Sequence, residues 1–142
     1  MTFYFDMDGT IADLYGVDGW LSDLENERVR PYAEARPLVD CERLIKAILA
    51  LKAEGYRFSI ISWTSKTGSA EYRKEIRKAK VEWIKKYFPN CFDEIHVVKY
   101  GTPKHWIAKD KGILFDDEEK NRTSWNKGRS YKETQIFTQL EW

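Results

Sequence analysis

Four short apolar segments limit what this chain can fold into: TFYFD at residues 2–6, YRFSIIS at 56–62, EIHVVKYG at 94–101 and GILFDD at 112–117. Each is rich in aromatic or β-branched residues and reads as a strand. The stretches between them carry apolar residues at helical spacing. DCERLIKAILALKAEG sets Leu44, Ile45, Ile48 and Leu51 on one face, with Asp40 as N-cap and Gly55 as the stop. SAEYRKEIRKAKVEWIKKYFP predicts the longest helix, with Tyr72, Ile76, Ala79, Trp83 and Tyr87 in step and Pro89 ending it. TPKHWIAK predicts a short helix with Thr102 as N-cap and Pro103 at its first position. Strands that alternate with helices form a parallel sheet joined by right-handed crossovers. The expected fold class is therefore α/β, a three-layer sandwich around a parallel sheet.

Residues 14–38 break that rhythm. Gly16, Gly19, Pro31 and Pro37 lie among acidic and aromatic residues, which predicts a small helical cap inserted after the first strand, outside the core. The tail after Gly128 suits a strand or a helix equally. At 142 residues the length predicts one domain spanning 1–142, with the insertion inside it. A net charge of +1 gives no general attraction to nucleic acid or membrane. No apolar run reaches transmembrane length, and Cys41 and Cys91 stand alone, so reduced thiols in a cytoplasmic protein are expected. Asn121-Arg122-Thr123 fits a glycosylation pattern, read here as chance because no secretory signal precedes it.

In an open parallel sheet, ligands sit beyond the carboxyl ends of the strands. Here those ends carry Asp6 and Asp8, then Ser62, then a lysine, then Asp116 and Asp117. Carboxylates crowded at the end of a buried strand repel each other unless a cation lies between them. An all-oxygen donor set suits a hard cation, above all Mg²⁺, whose natural ligand is phosphate. Gly9 permits a sharp turn that brings Asp6 and Asp8 round one reacting atom, so that one attacks phosphorus while the other handles the leaving group's proton. A calcium loop of the EF-hand kind needs its glycine at the sixth position, whereas here it is fourth from Asp6.

FDMDGT, the Ser62 strand end, a downstream lysine and ILFDD, in that order, resemble the four motifs of the haloacid dehalogenase (HAD) superfamily. The resemblance covers a Rossmann-like core over residues 1–13 and 40–125, and the short insertion is similar to the small cap of the 5'(3')-deoxyribonucleotidases and of phage-encoded members. It implies Asp6 as nucleophile and metal ligand, and Asp8 as general acid and base that also reaches the metal through its backbone carbonyl. It implies Thr10 as support for the loop, Ser62 as a donor to the phosphoryl group, and Asp116 and Asp117 as the pair completing the metal site. Which of that pair touches the ion stays open. Lys104, at the start of a helix where its charge opposes the macrodipole, is the chosen phosphate-binding lysine, with Lys99 as competitor.

Other positions carry two readings. Thr64 or Ser65 serves as well as Ser62. Tyr15, Trp20 and Tyr32 either dock on the domain or wall a pocket and stack on a base. Arg122 forms a surface ion pair or holds the site closed. His96 and His105 read as structural. The long helix sets Arg73, Lys74, Arg77, Lys78, Lys80, Lys85 and Lys86 against Glu71, Glu75 and Glu82, a solvated face or a mild anion-attracting one. The expected activity is a Mg²⁺-dependent phosphomonoesterase acting on a small phosphate ester, first a nucleotide. The rivals are a polynucleotide 3'-end phosphatase and a catalytically silent binding module. A small cap is also compatible with a homodimer. A kinase is disfavoured because no GxxxxGK[ST] loop is present.

Overall fold

The computed structural model describes residues 1–141; the single-domain expectation extends to Trp142, which lies outside the described residues. Five strands form the main sheet: β1 (Thr2–Phe5), β4 (Arg57–Trp63), β5 (Glu94–Val98), β6 (Gly112–Phe115) and β7 (Ser130–Tyr131), in the order β5-β4-β1-β6-β7. Every pairing in it is parallel, with Phe5 level with Ile60 on one side and Phe115 on the other. The fold is the expected α/β class. The tail resolves into both candidates, the short strand β7 and then the helix α7 (Ile136–Leu140).

Strand alternation sorts the core into two faces. Phe3, Phe5, Phe58, Ile60 and Phe115 bury against the helices α3 (Cys41–Ala53) and α4 (Ala70–Tyr87) and against α7. Tyr4, Ile61 and Leu114 face the other way, onto Ala108 and Trp125, which follow the short helices α5 (Lys104–Ile107) and α6 (Glu119–Ser124). Asp40 caps α3 as expected, accepting from the Arg43 N–H, and in α4 Ser69 is the cap, accepting from the Tyr72 N–H. In α5 the expectation fails by one residue. Pro103 is the cap, and the Thr102 hydroxyl instead donates to Lys99 O at 2.7 Å, tightening the turn that leads into the helix.

From β1 the chain winds through α3 and α4 to β4 and β5, then returns across the other face to β6 and β7. The switch point of the sheet therefore lies between β1 and β6, where Asp6 and the acidic pair emerge.

The insertion after β1 is a two-stranded antiparallel base, β2 (Ala12–Asp13) with β3 (Arg36–Pro37), carrying a single 3₁₀ turn, α1 (Trp20–Glu25) and α2 (Arg30–Glu34). Its buried Asp23 accepts from Arg30 Nε at 2.7 Å and anchors the interior of the cap. Leu14 and Tyr32 bury against Tyr72, Ile76 and Ala79 of α4. The Tyr72 hydroxyl donates to Arg28 O at 2.9 Å, and Glu27 accepts from the Ser69 N–H at 2.9 Å. The cap is thus seated on the first half of α4.

Candidate active site

The loop after β1 is wound around one carbonyl: Met7 O accepts from the N–H groups of Thr10, Ile11 and Ala12 at 3.0–3.1 Å. Gly9 makes the turn at φ +82°, and a Cβ there would fall 2.3 Å from Asp117 Oδ2. Backbone conformation and the approach of the second acidic segment both demand glycine. The turn leaves Asp6 and Asp8 at the head of the sheet with separate partners.

Asp6 Oδ1 accepts from Lys104 Nζ at 2.7 Å, and the same ammonium lies 2.7 Å from Asp116 Oδ2. Lys99 is exposed, so Lys104 is the lysine that the fold brings to the carboxylates. The Thr10 hydroxyl is 3.0 Å from Asp6 Oδ2 and 3.3 Å from Asp117 Oδ1, and it accepts the Asp117 N–H at 3.2 Å. Asp116 is further fixed by the buried Asn121 Nδ2 at 3.1 Å and by the Glu118 N–H at 2.9 Å. Arg122 donates to Asp116 O at 3.0 Å, so it holds the acidic segment through its backbone. Burial of Asn121 against Asp116 also leaves no accessible acceptor in the glycosylation-like triplet.

Asp6, Asp116 and Asp117 each present an oxygen within 4.8 Å of the others. Three carboxylates against one ammonium leave the cluster rich in negative charge, and its electrostatics register this. Burial raises the Asp6 carboxyl, but Lys104 and the hydrogen bond from Asp117 outweigh that and hold it below the ordinary range. Asp117 is pushed up to about 8 by burial and by the neighbouring Asp6 and Asp116. Asp116 is raised to about 6 by burial and Asp6, against the pull of Lys104. The cluster thus carries more carboxylate than its one ammonium neutralises, at a place where a cation would fit. The all-oxygen donors, their spacing and the excess charge suit a hard divalent ion.

The Asp8 side chain is not part of this cluster. Its Oδ2 accepts from Lys80 Nζ at 2.7 Å, and the same ammonium donates to Ser62 Oγ at 2.8 Å and Trp63 O at 2.7 Å. Lys80 corrects the reading of α4 as a solvated charged face. It is 0% exposed, although Lys74, Lys78, Lys85 and Lys86 around it are exposed. The signal was present in the spacing, since Lys80 lies four residues after the buried Ile76 and four before the buried Ile84. A lysine on the apolar stripe of a helix needs buried acceptors, and Asp8 supplies the charged one.

Asp6, Asp8, Ser62 and Thr64 line a cavity of about 240 Å³ whose walls include Tyr15, Trp20, Tyr32, Trp63 and Tyr100. Thr64 Oγ1 is buried and has no hydrogen-bond partner among the described residues. Ser65 Oγ, by contrast, donates to Thr67 O at 2.6 Å. Tyr15 meets Trp20 edge-on at 5.1 Å, and Trp63 meets Tyr100 at 5.0 Å with its indole N–H donating to Thr102 O at 2.9 Å. Tyr32 is buried against α4 and also lines the cavity. Trp63 and Tyr100 were not singled out in the sequence; only folding brings them to the cavity that the cap aromatics line. A larger groove of about 930 Å³ along α3 and α7, lined by Arg43, Lys46, Glu54 and Glu141 among others, holds none of the converging groups. His96 lies 3.2 Å from Glu94, and both cysteines are free thiols.

No protein-family model matches the chain, and no curated protein matches it. The fold and site define the class directly: a parallel α/β protein with a buried acidic cluster, suited to a metal ion, at the switch point of its sheet. No helix among the described residues is long and apolar enough to cross a membrane.

Proposed function

We propose that this protein is a Mg²⁺-dependent phosphomonoesterase of the haloacid dehalogenase kind, working through an aspartyl-phosphate on Asp6, with a nucleotide as substrate. The observation that carries the reading is the convergence of Asp6, Asp116, Asp117 and Lys104 beside a cavity that also holds Asp8 and an unpartnered Thr64 hydroxyl.

The phosphoryl group sits over Asp6, where Ser62 and Thr64 donate to its oxygens and Lys104 neutralises charge around the nucleophile. Asp6 forms a bond to phosphorus as the ester P–O bond breaks, and Asp8 gives its proton to the leaving oxygen. Burial raises the Asp8 carboxyl against the opposing pull of Lys80, the direction that an acid needs. Water then attacks phosphorus, Asp8 takes its proton, and the Asp6–phosphorus bond breaks to free phosphate. Asp6, Asp116 and Asp117, with the Asp8 backbone carbonyl, would hold the metal, which when bound supplies positive charge to the phosphoryl oxygens. The paired rings of Tyr15 with Trp20 and of Trp63 with Tyr100, all lining the cavity, suit a flat base.

The test is phosphate release from a panel of 5'- and 3'-nucleotides, sugar phosphates and a 3'-phosphorylated oligonucleotide, with Mg²⁺ or with chelator. Mg²⁺-dependent release, greatest with a mononucleotide, is the expected result. Preference for the oligonucleotide would favour the end-phosphatase reading, and no release from any member would reject the enzyme.

A further inference from the structure

Two buried lysines serve this site, and only one touches the acidic cluster. Lys80 stands behind the cavity wall: Asp8 and Ser62 line the cavity, and Lys80 is wholly buried beneath them. An ammonium has three N–H bonds, and all three are engaged, by Asp8 Oδ2, Ser62 Oγ and Trp63 O at 2.7–2.8 Å. None is left for a substrate. Ser62 Oγ, having accepted from Lys80, keeps its own proton to donate outward. Asp8, held by one oxygen, keeps the other for a ligand. The Tyr32 ring of the cap closes over the same ammonium at 5.1 Å, so cap and lysine are stacked on one stretch of α4.

We propose that Lys80 is a positioning residue for the transfer step, fixing the Asp8 carboxyl on the leaving-group side and turning the Ser62 hydroxyl toward the phosphoryl group. This rests on the phosphomonoesterase reading above. In the step it serves, the bond from phosphorus to the ester oxygen breaks, Asp6 bonds to phosphorus, and the Asp8 proton passes to the ester oxygen. Lys80 keeps its protons throughout. Its role is distinct from that of Lys104, which neutralises Asp6 and Asp116.

The distinction is measurable because leaving groups differ in their need for a proton. Para-nitrophenolate departs without one, whereas an alkoxide does not. The experiment compares kcat/KM, which covers only the steps up to ester cleavage, for an alkyl phosphate and para-nitrophenyl phosphate in wild type, Lys80→Met, Lys80→Gln and Lys80→Arg. Lys80→Met is expected to lower the alkyl value on the order of a hundredfold and the aryl value by less than roughly tenfold, with Lys80→Arg recovering part of the alkyl rate. Lys80→Gln, whose amide still donates to two of the acceptors, shifts the ratio the same way to a smaller extent and keeps it measurable if Lys80→Met does not fold. Equal losses with both esters would overturn the fixing of Asp8 on the leaving-group side, and the proposal with it, while leaving the phosphatase reading intact. A wild type that cleaves neither ester would overturn that reading, and this proposal with it.

Discussion

Removing Lys104 should unfold the logic of the site before it affects any chemistry. The Lys104 side chain is 2% exposed, Asp116 0% and Asp6 12%, and the ammonium is 2.7 Å from each carboxylate. Deleting one partner of such a buried pair typically costs about 3–5 kcal/mol, because the remaining charge stays desolvated. Here two buried carboxylates lose their common cation, which places Lys104→Met toward the upper end. With a urea slope of about 2 kcal/mol per molar, the unfolding midpoint falls by about 2 M. The deficit also depends on pH. Loss of the cation raises the folded-state pKa values of Asp6 and Asp116, and a raised acid contributes stability below its unfolded pKa that disappears as pH climbs through the folded value. The deficit is therefore smaller at pH 5 than at pH 8. Mg²⁺ should restore part of it by replacing the lost charge. The assay is urea unfolding of metal-free wild type and Lys104→Met at both pH values, repeated with Mg²⁺. A loss under about 1 kcal/mol at pH 8, or an equal loss at both pH values, would refute the reasoning that Lys104 neutralises ionised, buried carboxylates.

Asp117, raised to about 8, and Asp116, raised to about 6, hold protons that the unfolded chain releases near 3.8, so together they favour the metal-free fold at low pH and lose that contribution as pH rises through those values. Thermal melts in chelator across this range should show the decline, and Asp117→Asn should flatten its upper part. Mg²⁺ binds the ionised carboxylates, and Asp117 is raised to about 8, so its affinity should rise with pH up to about 8 and level above it, as calorimetry in buffers of different ionisation enthalpy would show. Gly9→Ala places a methyl group on Asp117 at positive φ; it should destabilise the fold by about 1–2 kcal/mol and weaken Mg²⁺ binding, whereas unchanged melting would contradict the close approach. Trp20→Ala should raise KM for a nucleotide up to roughly tenfold while sparing KM for a small sugar phosphate, and equal effects on both would place Trp20 outside the base pocket.

Much of this arrangement was legible before folding because it is carried by local sequence. β1 and β6 end at Phe5 and Phe115, directly before Asp6 and Asp116, because apolar runs stop there, whereas β4 runs one residue past the expected Ser62 to Trp63; a parallel sheet brings such ends to one edge. Asp40 caps its helix through a contact three residues away, as its place before the apolar stripe predicts. What was hidden depends on packing between distant segments. Lys80 looked like one more charge in a basic helix until α4 turned that stripe onto Asp8 and Ser62. The choice between Lys104 and Lys99 turned on where a four-residue helix sits after Pro103. The cavity's Trp63–Tyr100 pair joins residues from the end of β4 and the loop after β5, with no local motif to announce it.

The most direct test of the central claim is to look for the covalent intermediate on Asp6. Wild type and Asp6→Asn are mixed with excess phosphomonoester and Mg²⁺, quenched in acid within the first turnovers, digested and weighed by mass spectrometry. The account predicts one added phosphoryl group on the peptide containing Asp6 in the wild type, lost on hydroxylamine treatment, and none in Asp6→Asn. Turnover in the wild type with no phosphorylated peptide, or the same modification in Asp6→Asn, would contradict it.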